Sequence, residues 1–328
     1  MDELPRAGND EVELENLRMM DPELAAASVL MERPDIADVP SARELALTLR
    51  EQTSSAEEET VGRVVFEDRL ISSSDESVPM AVRIYYPTTV KGQFPAVVFF
   101  HGGAFVLGDL ESEHPRCLRY AADAECVVVS VDYRLAPEFR FPTGVEDCYT
   151  ALQWTVNNAA SLNIDPARVA VAGSSAGGAL AAATALMARD RGGPSLALQV
   201  LLYPVLDDRM ETESMKSFLD TPVWDKKNNI FMWEQYLNDG YEGNPYAAPS
   251  RASDLTGLPS AYVMSAELDP LRDEAILYAH RLLQAQVSVQ LNQVAGAYHG
   301  FDQQVADAGI SRRALDDQIH HLKRFLRS

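Results

Sequence analysis

Gly173-Ser174-Ser175-Ala176-Gly177 sets hydroxyls between glycines, and the residues on either side decide whether one of them can do chemistry. The apolar run Val169 to Ala172 reads as a strand, and the alanine-rich stretch from Ala176 as a helix. A serine at such a strand-turn-helix corner is lifted to the edge of a sheet, where its oxygen can attack a carbonyl carbon. Ser175 has glycine two residues before and two after it, whereas Ser174 has Ala172 and Ala176 at those places. A tight turn packs its flanks too closely for side chains, so Ser175 is the candidate nucleophile. The first helical N–H, that of Ala176, lacks an intrahelical acceptor and sits at the positive end of the helix dipole, where it can stabilise an oxyanion. A helix N-cap is the alternative use of a serine here.

A developing oxyanion needs further donors. His101-Gly102-Gly103-Ala104 directly follows the apolar run Ala96 to Phe100, and glycines there let backbone N–H groups approach a substrate oxygen with no Cβ in the way. A plain turn is the alternative. The nucleophile also needs a base, and there are six histidines. His280 falls within a helical stretch, His320 and His321 lie near the C-terminal end, His114 sits in a loop, and His101 braces the glycines that follow it. His299 comes after the last apolar run, Val287 to Leu291, through a loop containing Gly296 and Gly300, which places it at the same sheet edge as Ser175. The orienting carboxylate must follow the preceding run, Ala261 to Met264, where Glu267, Asp269 and Asp273 compete. Asp273 and Glu274 read as the first turn of the next helix, where carboxylates complement the dipole.

These groups need a scaffold. The runs Ala96 to Phe100, Val127 to Val131, Val169 to Ala172, Gln199 to Tyr203, Ala261 to Met264 and Val287 to Leu291 alternate with helical stretches, which is the pattern of βαβ units on a mostly parallel, buried sheet. Pro115 to Ala124, Val145 to Asn158, Ala176 to Arg189, Asp273 to Ala285 and Arg312 to Arg327 are the expected helices. Before them, Val61 to Ile71 and Met80 to Tyr86 read as paired strands. Residues 1–60 show helical apolar spacing at Leu14, Leu17, Ala25, Val29 and Leu30, and again at Leu45, Leu47 and Leu49, with Pro34 and Pro40 between and an acidic link at Glu57 to Glu59. Leu206 to Ala248 is too long for an ordinary loop. The expected division is therefore N-terminal cap helices (1–60), the first part of the α/β core (61–205), a cap insertion (206–250) and the second part of the core (251–328).

A net charge of −21 over 328 residues argues against nucleic acid or an anionic membrane as a partner. No run is long enough to span a bilayer, and Met1 to Pro5 lacks the basic and apolar regions of a signal peptide, so a cytoplasmic protein is expected. Cys117, Cys126 and Cys148 are odd in number and lack metal-ligand spacing, so neither a disulfide framework nor a metal site is expected.

The motifs together resemble the hormone-sensitive-lipase-like group (bacterial family IV) of α/β-hydrolases. The resemblance runs from about Pro95 to the C-terminus through His101-Gly102-Gly103-Ala104-Phe105, Asp132 to Glu138, Gly173 to Gly178, Asp269 to Glu274 and His299-Gly300-Phe301. It implies an α/β-hydrolase fold with a helical cap, no cofactor, and a homodimer through the sheet edge or terminal helix. It also implies Asp269 as the acid, in the order Ser, Asp, His, with Gly103, Ala104 and Ala176 donating to the oxyanion and Gly102 shaping the loop. Two departures are visible: Ala104 stands where relatives commonly have a third glycine, and Ser174 where many carry Asp or Thr.

The expected activity is that of a serine carboxylesterase acting on short-to-medium-chain esters as small-molecule substrates. An amidase or lactonase would use the same three residues, and a non-enzymatic receptor on this fold would lack the base. Phe105, Met215, Phe218, Trp224, Phe231, Trp233 and Phe301 are candidates for the acyl and alcohol pockets, core packing being the alternative for each. Within Asp132 to Glu138, Arg134 is expected to pair with Asp132 or Glu138 and to hold that loop.

Overall fold

Val127–Val131 is buried at every residue, on both faces, which only an interior strand of a covered sheet permits. The computed structural model describes residues 19–50, 60–88 and 92–326, so the spacing read at Leu14 and Leu17 and the acidic link Glu57 to Glu59 lie outside the described residues. Its strands are β1 (Val64–Ile71), β2 (Met80–Pro87), β3 (Phe94–Phe100), β4 (Val127–Val131), β5 (Ile164–Ser174), β6 (Leu198–Leu202), β7 (Ser260–Leu268) and β8 (Val289–Tyr298). They form one eight-stranded sheet in the order β1-β2-β4-β3-β5-β6-β7-β8. β2 runs antiparallel to both β1 and β4, and every pairing from β4 to β8 is parallel. This is the α/β-hydrolase fold.

The helices are α1 (Pro22–Ser28), α2 (Val39–Arg50), α3 (His114–Ala124), α4 (Thr143–Asn157), α5 (Ala176–Asp190), α6 (Glu213–Ser217), α7 (Lys226–Tyr236), α8 (Arg272–Gln284), α9 (Phe301–Gln304) and α10 (Gly309–Leu326). Alternation along the strands divides the core in two. Val98, Phe100, Val129 and Val171 point to the face covered by α4, α5 and α8. Val97, Phe99, Val128 and Ala172 point to the face covered by α3 and α10. At roughly 25 cal/mol per Å² of apolar surface removed from water, these two clusters are the main source of stability.

Several strands differ from their expected bounds, β8 and β5 by the most. β8 runs to Tyr298 rather than Leu291, because this edge strand alternates half-buried and exposed residues up to Ala295 and the apolar run breaks at Asn292 and Gln293. Gly296 is therefore inside β8, and His299 follows the strand directly instead of through a loop. β5 begins at Ile164, ahead of the apolar run, where it pairs with Phe94.

The stretch between α1 and α2 is joined to the segment between β6 and β7. Arg33 donates to Asp220 at 2.6 Å and to the Thr221 carbonyl at 2.8 Å. Asn228 on α7 accepts from the Ile36 N–H at 3.1 Å and donates to the Pro34 carbonyl at 3.0 Å. Arg43 on α2 reaches the core, donating to both carboxylate oxygens of Glu138 at 2.8 Å and to the Val106 carbonyl at 2.8 Å. With Glu138 occupied in this way, Arg134 pairs instead with Asp147 at 2.8 Å and Asp75 at 2.9 Å, tying the turn between β1 and β2 to α4. The expected pairing of Arg134 with Asp132 or Glu138 is thus corrected.

Candidate active site

Three residues sit immediately beyond the C-terminal ends of three strands: Ser175 after β5, Asp269 after β7 and His299 after β8. Parallel strands end together, so their following residues converge at one edge of the sheet. The His299 Nε2 lies 2.9 Å from the Ser175 Oγ, and its Nδ1 lies 2.7 Å from the Asp269 Oδ2. Asp269 is fully buried, and its second oxygen accepts the Leu271 N–H at 2.9 Å, which fixes the carboxylate plane. A carboxylate on Nδ1 selects the tautomer with the proton there and leaves Nε2 free to accept the serine proton.

Ser175 has φ 55° and ψ −118°, a conformation that costs a non-glycine residue of order 1–3 kcal/mol. It is held there by its N–H on the Leu202 carbonyl at 2.8 Å and by its own carbonyl accepting from Val205 at 3.2 Å. The glycines around it are sterically required. A Cβ on Gly177 would come within 2.5 Å of the His101 carbonyl oxygen, and one on Gly178 within 2.8 Å of the Pro204 Cβ.

The loop after β3 carries three successive residues in the left-handed region: Gly103 (φ 118°), Ala104 (φ 56°) and Phe105 (φ 60°). Among the described residues, the N–H groups of Gly103, Ala104 and Ala176 have no protein acceptor. Gly102 packs under the elbow, where a Cβ would meet the Ser174 Oγ at 3.0 Å. His101 braces this loop as expected. Its Nδ1 is 2.7 Å from the Gly102 carbonyl and its ring stacks on Tyr133 at 4.3 Å. Burial pushes its pKa down to about 4, so it stays neutral and holds the loop without charge.

The competing carboxylates have other partners. Glu267 accepts the Gly296 N–H at 2.7 Å and Asp273 the Ser214 N–H at 2.8 Å, while Glu274 accepts the Leu206 N–H at 2.6 Å. Burial holds the Glu274 carboxyl well above its ordinary pKa.

Ser175 and His299 open into a cavity of about 500 Å³, within the range of small-molecule sites. Gly102, Gly103, Ala104, Tyr203 and Trp224 line it, with Ala46, Leu47 and Leu49 from α2 opposite. Of the proposed pocket residues only Trp224 reaches the wall. Phe105 is stacked on Tyr236 at 3.8 Å beside Trp233, and Met215 and Phe301 are fully buried. Phe218 packs under Arg272, and Phe231 lies beneath Lys227. In this structure these side chains pack within the fold and not on the cavity wall. The α2 residues that form the wall carry no signal beyond ordinary helical spacing.

A hydrogen-bonded serine, histidine and aspartate thus stand together at the strand ends of an α/β-hydrolase fold and face a cavity that opens to solvent. The family model described as an alpha/beta hydrolase fold matches residues 97–303. The chain is 41% identical over 233 residues to carboxylesterase NlhH of Mycobacterium tuberculosis, covering 69% of this chain and 72% of the relative. Among solved structures, a bacterial heroin esterase superposes with a TM-score of 0.90 at 43% identity, covering 95% of this chain and 99% of the other. The esterase LipW of Mycobacterium marinum superposes with a TM-score of 0.86 at 39% identity, covering 94% and 96%. The chain belongs to the hormone-sensitive-lipase-like carboxylesterases of the α/β-hydrolase superfamily and is a carboxylic ester hydrolase.

Proposed function

We propose that the protein hydrolyses short-to-medium-chain carboxylic esters through Ser175, His299 and Asp269, with an acyl-enzyme on Ser175. The observation that carries this reading is the His299 ring bridging Ser175 at 2.9 Å and Asp269 at 2.7 Å at the floor of the cavity. Nε2 takes the Ser175 proton as Oγ attacks the ester carbonyl, and Asp269 stabilises the imidazolium that forms. The N–H groups of Gly103, Ala104 and Ala176 receive the carbonyl oxygen as it becomes negative, each such donor contributing about 3–4 kcal/mol to the transition state. His299 then passes its proton to the departing alcohol. Water, deprotonated by the same Nε2, attacks the acyl carbon and releases the acid.

The residues around α1 and α2 and the insertion 206–250 act as a cap, α2 supplying the wall that excludes water and limits acyl length. The size of the cavity, about 500 Å³ for acyl and alcohol groups together, supports a short or medium chain. Hydrolysis of p-nitrophenyl esters from acetate to palmitate by wild type and Ser175→Ala tests this. Turnover is expected to peak at short chains and to fall by about 10⁴-fold in the variant. A palmitate optimum would overturn the chain-length assignment, and a Ser175→Ala enzyme near wild-type activity would overturn the triad.

A further inference from the structure

Behind Ser175 lies a buried ionic group that the cycle above does not use. Glu113, at the N-terminal end of α3, is 1% exposed; one of its carboxylate oxygens accepts from the Arg116 Nε at 2.8 Å and the other accepts the hydroxyl of Ser174. Arg116 continues to Asp302 at 3.0 Å, and Asp302 accepts the Tyr203 hydroxyl at 2.8 Å. The Tyr203 ring meets the His299 ring edge to face, with centroids 4.9 Å apart. Asp302 is itself three residues beyond His299, on α9.

The chain of contacts therefore touches the site twice. Through Ser174 it reaches the residue before the nucleophile, whose Oγ also packs beneath Gly102 of the oxyanion loop. Through Asp302 and Tyr203 it reaches the base and the segment that carries it. Burying two carboxylates and a guanidinium is expensive unless their geometry is kept, so the group tolerates little displacement. Arg116 holds the Asp302 carboxyl below its ordinary pKa in spite of the burial that opposes this, so Asp302 remains an anion.

We propose that Glu113 and Arg116 are positioning residues for ester hydrolysis, clamping the nucleophile elbow and the His299 segment in register from behind through Ser174, Asp302 and Tyr203. This rests on the triad reading above. Ser174→Ala removes one link of the clamp and leaves Ser175 and the three buried charges in place. Misplacement of a reacting group by about 1 Å costs up to about 100-fold, so kcat on p-nitrophenyl butyrate is expected to fall about 10- to 100-fold. KM should stay within about twofold, because the Ser174 hydroxyl is buried and bonded to Glu113 and is not offered to substrate. Ser174→Thr, which restores the hydroxyl, should recover most of kcat.

Ser175→Ala is measured alongside. If it keeps turnover, the triad reading fails; if it is inactive while Ser174→Ala keeps wild-type kcat, the clamp alone is overturned. A rise in KM with unchanged kcat would also overturn it, by making Ser174 a substrate-binding residue. Should Ser174→Ala lose the native circular dichroism spectrum, Tyr203→Phe decides. It keeps the ring against His299 and deletes the bond to Asp302; a lowered kcat at constant KM supports the clamp, and an unchanged kcat overturns it.

Discussion

Asp132, just beyond β4, has no ion-pair partner among the described residues. Burial, with a smaller push from Asp109, raises its pKa to about 6, against about 3.9 in an unfolded chain. Between those values the folded state holds a proton that the unfolded state has released, so stability falls as pH rises through this window. Above about pH 6 the whole penalty is present, and below about pH 4 it is absent. Asp132→Asn is expected to stabilise by about 1–2 kcal/mol at pH 7.5, discounting the shift for partial exposure, and to change nothing near pH 4. Urea melts at the two pH values check this; equal effects at both would rule out the linkage. Ser175, the glycine loop after β3 and His299 were legible because their signals are local, whereas Asp269 stood out from Glu267 and Asp273 only through the family resemblance. The pocket aromatics were not. Whether Phe105 faces a substrate or stacks on Tyr236 depends on where α7 lies, and nothing near Phe105 in the chain says so. Glu113 and Arg116 were equally silent, since an acid three residues before an arginine on a helix is usually a solvated pair.

The elements repeat this contrast. Interior strands such as β3 and β4 announce themselves as apolar runs, broken in β4 only by Ser130, whereas the first part of β8 alternates and hides its length. α2 was expected as a helix, but its place across the cavity follows from bonds made far away in sequence, chiefly those of Arg43. These contacts are partly exposed and screened by water, so their direct contribution to stability is small, about 1 kcal/mol or less. Their contribution to the cavity is larger, because Ala46, Leu47 and Leu49 ride on the same helix. Arg43→Ala is expected to shift the melting temperature by only about 1–3 °C. It should raise KM for p-nitrophenyl butyrate about three- to tenfold with kcat little changed, the mark of lost uniform binding. Steady-state kinetics check this, and a proportionate fall in kcat would assign Arg43 a part in the chemistry instead.

At the scale of the molecule, the net charge of −21 gives the chain an overall negative field, and Glu32, Asp109 and Glu111 line the cavity together with Arg43. Esters that carry a quaternary ammonium group should gain in kcat/KM over neutral esters of equal size at low ionic strength. The advantage should shrink as salt shortens the Debye length from about 30 Å at 0.01 M to about 8 Å at 0.15 M. Initial rates for a matched pair across that range measure it; a constant ratio would mean that the field does not reach the cavity mouth. The sheet carries another consequence. Ser175 leaves the middle of the sheet, flanked by strands on both sides, while His299 leaves its last strand, which has a neighbour on one side only. Opening free energies are lowest at such margins. A local opening of β8 would carry off His299 and leave Ser175, its corner and the central strands in place. Loss of the Ser175–His299 contact and unfolding would then be separate events, the first undone when one strand re-docks.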